Sequence, residues 1–281
     1  MSEVVKVGVL KAGCIGTLPL LEFLLDERAE RQDIDVRVVG SGAKVGPEQC
    51  REAAGLMVSL KPDLVILIGP AQATPGPTEA RKTVLAAKIP AIVISDSPAK
   101  KLAEETKQSD LGFIIVEADS MIGARREFLD PTEMATYNSD VIKVLATTGA
   151  FNLVVESIDR AIESLKAGEK PELHNMVIDG AKAVEAAGFQ NPYAKAKALA
   201  AYELASRVSK LTNEACFRTQ DSQVYVPLVA TAHEIMRAAA KMADEARELE
   251  KSGDTVLRKP HFKDGTLGTK RRLMEKPKKP E

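Results

Sequence analysis

The feature of this sequence that most constrains its fold is the segment 63–68 (D-L-V-I-L-I), which is apolar after its first residue and shows no polar alternation. This pattern is typical of a strand buried on both faces of a sheet. Four other short segments are also rich in β-branched residues. Along the chain, stretches with helical periodicity separate the first four of these five segments from one another. The predicted strands are 4–10, 33–39, 63–68, 91–94 and 112–116.

This strand–helix repetition predicts an α/β fold with a parallel, doubly wound sheet of the Rossmann or flavodoxin-like type. The pattern changes after Asp119, and from Asp130 the chain reads as a helical bundle with minor added β structure at 176–178 and 223–226 and a long helix over 227–251. The last 24 residues hold nine Lys or Arg against three Asp or Glu. The predicted divisions are an α/β coenzyme-binding domain (1–129), a mainly helical bundle with short strands (130–257) and a basic C-terminal tail (258–281).

Composition argues against several classes of function. Lys plus Arg (39) balances Asp plus Glu (40), and aromatic residues make up only 4%, so nucleic-acid binding is not expected. No apolar run approaches the ~20 residues of a membrane span, and the N-terminal segment does not resemble a signal peptide, so we expect a cytoplasmic protein. The cysteines and histidines lack metal-ligand spacing, and neither a metal site nor a disulfide framework is predicted. They are Cys14, Cys50, Cys216, His174, His233 and His261.

The first loop of the predicted sheet is a candidate anion site. Ligands of an open parallel sheet bind at the carboxyl ends of its strands. The loop 11–16 (K-A-G-C-I-G) falls short of the dinucleotide fingerprint G-x-G-x-x-G because Lys11 replaces the first glycine, and the second strand ends without an acid for a ribose. Gly13 and Gly16 still permit an anion at a helix N-terminus, beside the charge of Lys11. A plain tight turn is the alternative interpretation.

The third loop, residues 69–77 (G-P-A-Q-A-T-P-G-P), is uncharged and holds three prolines and two glycines. A rigid loop without charged side chains can present its backbone amides to a flat heterocycle. We therefore predict that Gly69, Pro70, Pro75 and Gly76 contact a cofactor. The alternative is a stiff connector that leads into the next helix.

Three further positions carry polar groups that suit ligand binding. Asp96 ends a strand, where it would bond a ligand ring or cap the next helix. The adjacent Arg125 and Arg126 would clamp carboxylates or a phosphate, although an ion-paired and a solvated arginine would look the same in the sequence. Thr147 and Thr148 precede Gly149 in a break of a helical run, which suits a kink near a ligand or simple helix packing.

The sequence offers no machinery for hydrolysis. Nothing in it resembles a Ser-His-Asp or Cys-His arrangement, and no pair of carboxylates has a spacing that forces the two groups together. Binding and positioning two ligands therefore remains as a way in which the protein could act.

Several stretches, in order along nearly the whole chain, resemble the coenzyme F420-dependent methylenetetrahydromethanopterin dehydrogenase family of methanogenic and related archaea. The most specific are G-A-R-R-E-F-L-D-P-T-E-M-A-T-Y-N at 123–138 and Y-V-P-L-V-A-T-A-H-E-I-M-R at 225–237, which continues through A-D-E-A-R-E-L-E-K-S at 243–252. The others are L-L-D-E-R-A-E-R at 24–31, P-G-P at 75–77 and N-P-Y-A at 191–194.

The resemblance implies reversible hydride transfer between 5,10-methylenetetrahydromethanopterin and oxidised coenzyme F420, which yields 5,10-methenyltetrahydromethanopterin and reduced F420 in methanogenesis and other archaeal one-carbon metabolism. It implies F420 as a dissociable co-substrate, with no metal and no bound flavin. It also implies a homohexamer, built as a trimer of dimers, and a cleft between the α/β part and the helical part.

The residues take hypothetical roles in that reaction. Asp96 or Glu127 would stabilise the cationic methenyl product, and no residue acts as a nucleophile. The coenzymes end in phosphate and carboxylate groups, for which the predicted anchors are Lys11, Arg125, Arg126, Arg258 and Lys259. Two alternatives stay open: an NAD(P)-dependent methylene-pterin dehydrogenase, and a non-catalytic ligand-binding or assembly protein.

Overall fold

Six parallel strands form one sheet in the order β2-β1-β3-β4-β5-β6. The computed structural model describes residues 4–42, 44–106, 110–120 and 130–280. A two-residue antiparallel pair, β7 with β8, lies outside the sheet. The strands are β1 (Val5–Lys11), β2 (Ile34–Gly40), β3 (Leu64–Ile68), β4 (Ala91–Asp96), β5 (Leu111–Val116), β6 (Asn175–Ile178), β7 (Leu257–Arg258) and β8 (Arg271–Arg272).

Nine α-helices in the described ranges cover the sheet and extend beyond it. A 3₁₀ turn (Ser97–Ala99) follows β4, and a π-helical turn (Glu214–Arg218) follows α8. The helices are α1 (Thr17–Glu27), α2 (Pro47–Ser59), α3 (Pro75–Ala86), α4 (Lys100–Glu105), α5 (Pro131–Thr148), α6 (Ala150–Lys166), α7 (Gly180–Ala187), α8 (Pro192–Asn213) and α9 (Ser222–Ser252).

The central strand β3 is buried on both faces, as its apolar sequence predicts. Leu64, Ile66 and Ile68 pack in a core cluster with α1, α5 and α6, whereas Val65 and Leu67 pack in a second cluster with α2 and α3. The predicted parallel, doubly wound α/β fold is thereby confirmed. The helical part is built around the antiparallel pair α8 and α9, whose interface is rich in alanine.

The sixth strand changes the predicted division of the chain. Residues 176–178 do form a strand, but β6 pairs in parallel with β5 and extends the main sheet. Helices α5 and α6 therefore lie within a long crossover between two neighbouring strands. The sequence pattern cannot show this, because strand pairing across 62 residues (Phe113 with Asn175) depends on tertiary packing.

The strand predicted at 223–226 is wrong. These residues form the first turns of α9, which begins at Ser222 and is capped by the Asp221 carboxylate, an acceptor for the Gln223 N–H at 2.9 Å. The β-branched Val224 and Val226 suggested a strand, but the cap and the packing against α8 decide for helix. Pro227 lies inside this helix rather than at its start.

The break predicted at Gly149 is a bend of 70° between α5 and α6. Gly149 has φ of 97°, and a Cβ there would lie 2.1 Å from the Ala183 carbonyl oxygen, so α7 packs directly on the bend. Within the described ranges, no single helix is long and apolar enough to cross a membrane, although α5 and α6 taken together have that length and composition across their bend.

The C-terminal segment is folded against the amino-terminal edge of the sheet. The Gln32 N–H donates to the Lys263 carbonyl oxygen at 2.7 Å, and the His261 Nε2 lies 2.7 Å from Glu27. Gly265 packs on Asp33 so closely that a Cβ would lie 2.0 Å from the carboxylate. The segment predicted as a basic tail is therefore an integral part of the fold.

Beneath this segment lies a buried cluster of charges. Arg28 holds Asp159 in a bidentate ion pair, and Arg31 holds Asp33 with two hydrogen bonds of 2.8 and 2.9 Å. Burial alone would raise the pKa of Asp33, but hydrogen bonds from Arg31 and Lys166 outweigh it and lower the pKa to about 2. Each charge in the cluster has a partner, which makes the loss of one partner costly.

We predict that Asp159→Asn lowers the free energy of unfolding by ~3–5 kcal/mol, because it leaves two buried guanidinium groups without their shared carboxylate. Urea unfolding followed by circular dichroism measures the change. The control is Asp35→Asn, which breaks the exposed Arg37 pair and should cost less than ~1 kcal/mol. Equal losses in the two variants would contradict the role of burial.

Candidate functional site

The loops at the carboxyl ends of the strands meet along one edge, as the parallel topology requires. The order of strands reverses between β1 and β3. The two loops at this point contact each other: the Ala12 N–H donates to the Ile68 carbonyl oxygen at 2.9 Å, and a Cβ on Gly13 would lie 3.1 Å from the Pro70 ring. This edge is the candidate ligand site.

The anion expected at the N-terminus of α1 is a side chain of the protein. Asp119, three residues beyond β5, accepts hydrogen bonds from the Gly16 N–H (2.6 Å), the Thr17 N–H (2.8 Å) and the Thr17 hydroxyl. The carboxylate is fully buried. Burial raises its pKa, although the three hydrogen bonds act to lower it. A carboxylate at a helix N-terminus is the arrangement that the backbone dipoles favour.

This cap leaves no room for a dinucleotide phosphate at α1. The two amides that would hold it donate to Asp119, and the side chains of Val141 and Leu145 on α5 cover Gly16. The neighbouring Lys11 side chain is half-exposed and pairs with Glu22 at 2.7 Å. Gly13, with φ of 82°, stays at the surface of the loop.

The third loop is shorter than the sequence suggested. Pro75 and Gly76 belong to the first turn of α3, and Gly76 packs on the Val45 carbonyl oxygen, so the loop proper is 69–74. Gly69 has φ of 156°, and a Cβ there would lie 1.9 Å from the Ala12 carbonyl oxygen. The Gly69 oxygen accepts from Gln72 Nε2 (3.1 Å) and from the Ser95 hydroxyl (2.9 Å), which fixes the start of the loop.

Asp96 lies at the end of β4 beside this loop and is only 2% exposed. Burial, followed by the negative charge of Asp119, raises the pKa of Asp96 to about 7, although the Ser95 hydroxyl and the Ala71 N–H bond to its carboxyl. The carboxyl edge of the sheet therefore holds two buried carboxyl groups, and the charge of Asp119 disfavours ionisation of Asp96.

A cleft of about 970 Å³ opens where β4 and β5 end. One wall is the 3₁₀ turn after β4 with the Lys100–Glu117 ion pair, and the other is formed by the end of α8 and the π-helical turn. Three cations of this second wall are Arg207, Lys210 and Arg218, and the Phe217 ring is 60% exposed within the same cleft. Its size and composition suit a ligand with a flat ring and an anionic tail.

The structure brings some of the predicted site residues together and separates others. Lys11, Gly13, Gly16, Gly69, Pro70 and Asp96 all lie at the carboxyl edge. The hydroxyls of Thr147 and Thr148 donate to the backbone oxygens of Lys143 and Val144, inside α5 near its bend. Arg258 bonds the Glu275 carbonyl oxygen, and with Lys259 it lies in the C-terminal segment at the opposite edge. Arg125, Arg126 and Glu127 lie outside the described residues.

A polar cluster next to the site escaped the sequence reasoning. The Tyr137 hydroxyl lies 2.8 Å from that of Ser120, the Tyr137 ring stacks on His233 at 4.3 Å, and the His233 Nδ1 lies 2.7 Å from Glu133. Burial lowers the pKa of His233, and the hydrogen bond to the Glu133 carboxylate offsets this effect only in part. The helical spacing of Glu133 and Tyr137 was the signal available in the sequence, but their partners come from the loop after β5 and from α9.

Taken together, these features define an α/β protein with a parallel, doubly wound sheet and a cleft between the carboxyl edge of the sheet and a helical bundle. Among the described residues, no group of three or more His, Cys, Asp or Glu side chains is arranged to hold a metal ion. Comparisons with known proteins specify the class further. The family model described as methylene-5,6,7,8-tetrahydromethanopterin dehydrogenase matches residues 5–278, and the chain belongs to this family.

Curated relatives match over almost their whole length. The chain is 55% identical to the F420-dependent methylenetetrahydromethanopterin dehydrogenase of Methanothermobacter marburgensis and 58% identical to that of Archaeoglobus fulgidus, with 98% of this chain and 99% of each relative covered. A solved structure of an F420-dependent methylene-tetrahydromethanopterin dehydrogenase, in complex with methylene-tetrahydromethanopterin and coenzyme F420, superposes with a TM-score of 0.93 at 47% identity. The alignment covers 98% of this chain and all of that one.

We predict that Asp119→Ala lowers the free energy of unfolding by ~2–4 kcal/mol, because it leaves the buried donors of Gly16 and Thr17 without an acceptor. The control is Asn191→Ala, which removes the side-chain cap of α8 and should cost ~1 kcal/mol. Thermal and urea unfolding measure both. A loss at Asp119 no larger than at Asn191 would contradict the importance of the buried cap.

We predict that Gly69→Ala distorts the third loop, because the new Cβ would overlap the Ala12 carbonyl oxygen at 1.9 Å. Unfolding free energy should fall by more than ~2 kcal/mol, and ligand binding should weaken. Gly42→Ala is the matched control: Gly42 also has a positive φ of 72°, but nothing lies within 4 Å of its added Cβ, so only the backbone cost of ~1 kcal/mol applies.

Proposed function

We propose that this chain transfers a hydride reversibly between 5,10-methylenetetrahydromethanopterin and coenzyme F420, and that both bind in the cleft at the carboxyl edge of the sheet. The observation that carries the activity is the near full-length relationship to F420-dependent dehydrogenases, including one solved with both compounds bound. As a member of this family, the protein is an oxidoreductase that uses F420 as a co-substrate.

The described residues fit these compounds. The cleft pairs an exposed aromatic ring, Phe217, with the cations Arg207 and Lys210, which suit ring systems that carry anionic tails. The same wall also carries Glu203 and Glu214. When bound, the deazaflavin supplies the hydride chemistry at its own ring carbon. The protein then needs to hold two rings face to face and exclude water, and orientation of this kind accounts for a large part of such a rate.

Other predicted contacts remain part of the proposal. The first and third loops would contact the coenzyme through Lys11, Gly13, Gly69 and Pro70. The carboxylate of Asp96 or Glu127 would stabilise the cationic product. Arg125 and Arg126 would anchor an acidic tail. Replacing either with Ala should raise the Michaelis constant of one coenzyme, and unchanged constants for both would refute the clamp.

The buried cap of α1 favours F420 over a pyridine nucleotide. A dinucleotide would need the amides of Gly16 and Thr17 for its pyrophosphate, and both donate to Asp119. The non-catalytic alternative has no comparable support. We further propose, from the family resemblance, a cytoplasmic homohexamer arranged as a trimer of dimers, which sedimentation or mass photometry would test.

The first test is an absorbance assay at about 420 nm with oxidised F420 and methylenetetrahydromethanopterin, without added metal or NAD. A decrease that requires both substrates, with methenyl product in the near ultraviolet, is the expected result. Turnover with NADP instead of F420 would favour the pyridine-nucleotide alternative. Folded protein without turnover of either carrier would favour a binding protein.

We predict that Lys210→Ala raises the Michaelis constant of one coenzyme by roughly 10-fold with little change in kcat, because a charge-assisted contact contributes ~1.5–3 kcal/mol. Lys101→Ala is the control, since that lysine is 83% exposed on α4 and pairs with Glu105 outside the cleft. Steady-state kinetics with each coenzyme varied in turn would measure both. Equal constants in the two variants would remove Lys210 from the site.

A further inference from the structure

The Ser95 hydroxyl at the end of β4 has one proton and two nearby oxygen atoms. Its Oγ lies 2.9 Å from the Gly69 carbonyl oxygen and 3.1 Å from Asp96 Oδ1. A hydroxyl donates one hydrogen bond and accepts two, so it cannot donate to both oxygens at once. If Asp96 is ionised, one of these short contacts has no hydrogen atom between its oxygens.

A proton on Asp96 resolves this geometry. Asp96 then donates from Oδ1 to Ser95 Oγ, and Ser95 donates to the Gly69 carbonyl. The second carboxyl oxygen stays available to the Ala71 N–H, which also bonds this side chain. Every polar group of the set gains a partner, as buried polar groups require.

We propose that Asp96 is a positioning residue that works in its protonated form: the chain Asp96–Ser95–Gly69 fixes the loop 69–74 in the geometry that binds the coenzyme. The inference rests on the proposed function, because this loop is assigned to coenzyme binding there. It differs from a role in which an Asp96 carboxylate stabilises the cationic product.

Charged groups around Asp96 support the neutral form. From the end of β5, Asp119 faces it with a carboxylate that three donors hold. The loop 69–74 contributes no charged side chain. Arg81 of α3 reaches this loop but bonds the Gln72 carbonyl and side chain, and Lys100 of α4 pairs with Glu117. Burial and the charge of Asp119 raise the pKa of Asp96 to about 7.

Ionisation of Asp96 would therefore change the loop. A carboxylate attracts the Ser95 proton, and the Gly69 oxygen keeps only its bond from Gln72 Nε2. Gly69 starts the loop and packs on Ala12, so a released carbonyl would loosen the contact between the first and third loops. Coenzyme affinity should fall as the pH rises through about 7.

The experiment compares wild type, Asp96→Asn and Ser95→Ala by kcat and by the Michaelis constant for F420 between ~pH 5.5 and ~pH 8.5. The side-chain amide in Asp96→Asn would donate to Ser95 without titrating. We expect this variant to match wild type at low pH and to keep its low Michaelis constant at high pH. Ser95→Ala should show, at every pH, the raised constant that wild type reaches only at high pH. At each pH the Michaelis constant of a variant is divided by that of the wild type, so that any effect of the titration of F420 itself cancels.

Stability provides a second readout. A carboxyl group whose pKa is raised by folding holds a proton that the unfolded chain has lost, so stability falls as the pH rises from about 4 to about 7. Asp96→Asn should remove that part of the fall and gain stability relative to wild type toward ~pH 8. Asp254→Asn, at an exposed residue just beyond α9, is the control and should leave both profiles unchanged.

Three outcomes would overturn the proposal. The first is loss of activity in Asp96→Asn at all pH values, and the second is a Michaelis constant of Asp96→Asn that depends on pH as in the wild type. The third is a Michaelis constant of Ser95→Ala that stays, at high and low pH alike, at the low value that wild type shows at low pH. The first would instead assign a catalytic charge to Asp96. Absence of F420 turnover in the wild type would contradict the proposed function, which this comparison keeps separate from the role of Asp96.

Discussion

The hydrogen bonds from Gly16 and Thr17 to Asp119 join the loop that follows β1 to the loop that follows β5. They cap α1 with a carboxylate from the far side of β3 and β4, across 102 and 103 residues of sequence. The cap sets the first loop against the start of the loop beyond β5, and its charge acts on Asp96. The shape of the ligand edge and the protonation of its second carboxyl group both depend on this contact.

The apolar sheet makes these polar contacts strong. Strands β3, β4 and β5 are buried throughout, so the groups that end them are removed from water on most sides. A buried polar group needs a partner, and the loops at this edge supply it through backbone amides and small hydroxyls. The same edge opens into the cleft on the side of α8, where the surface changes to exposed cations and an aromatic ring.

The sequence was most informative where local pattern and burial agree. The five short segments predicted as strands correspond to β1 to β5 of the six-stranded sheet. The helical pattern predicted from Asp130 begins where the Asp130 carboxylate accepts a hydrogen bond from the Glu133 N–H and caps α5. Sequence reasoning failed where contacts between distant segments determine the structure. The three cases are the pairing of β6, the helical state of 223–226 and the capping of α1 by Asp119. A carboxylate three residues beyond a strand resembles any loop acid until the helix that it caps is folded beside it.

The C-terminal segment ties the last part of the chain to the first. The contact of His261 with Glu27 spans 234 residues, and Gly265 completes the packing around Asp33. During synthesis the sheet can begin to form while the pocket over Arg31 and Asp33 is still open to water. Contacts of such long range slow the late stages of folding, so a chain still being synthesised would leave this charged pocket uncovered until residues 261–265 emerge.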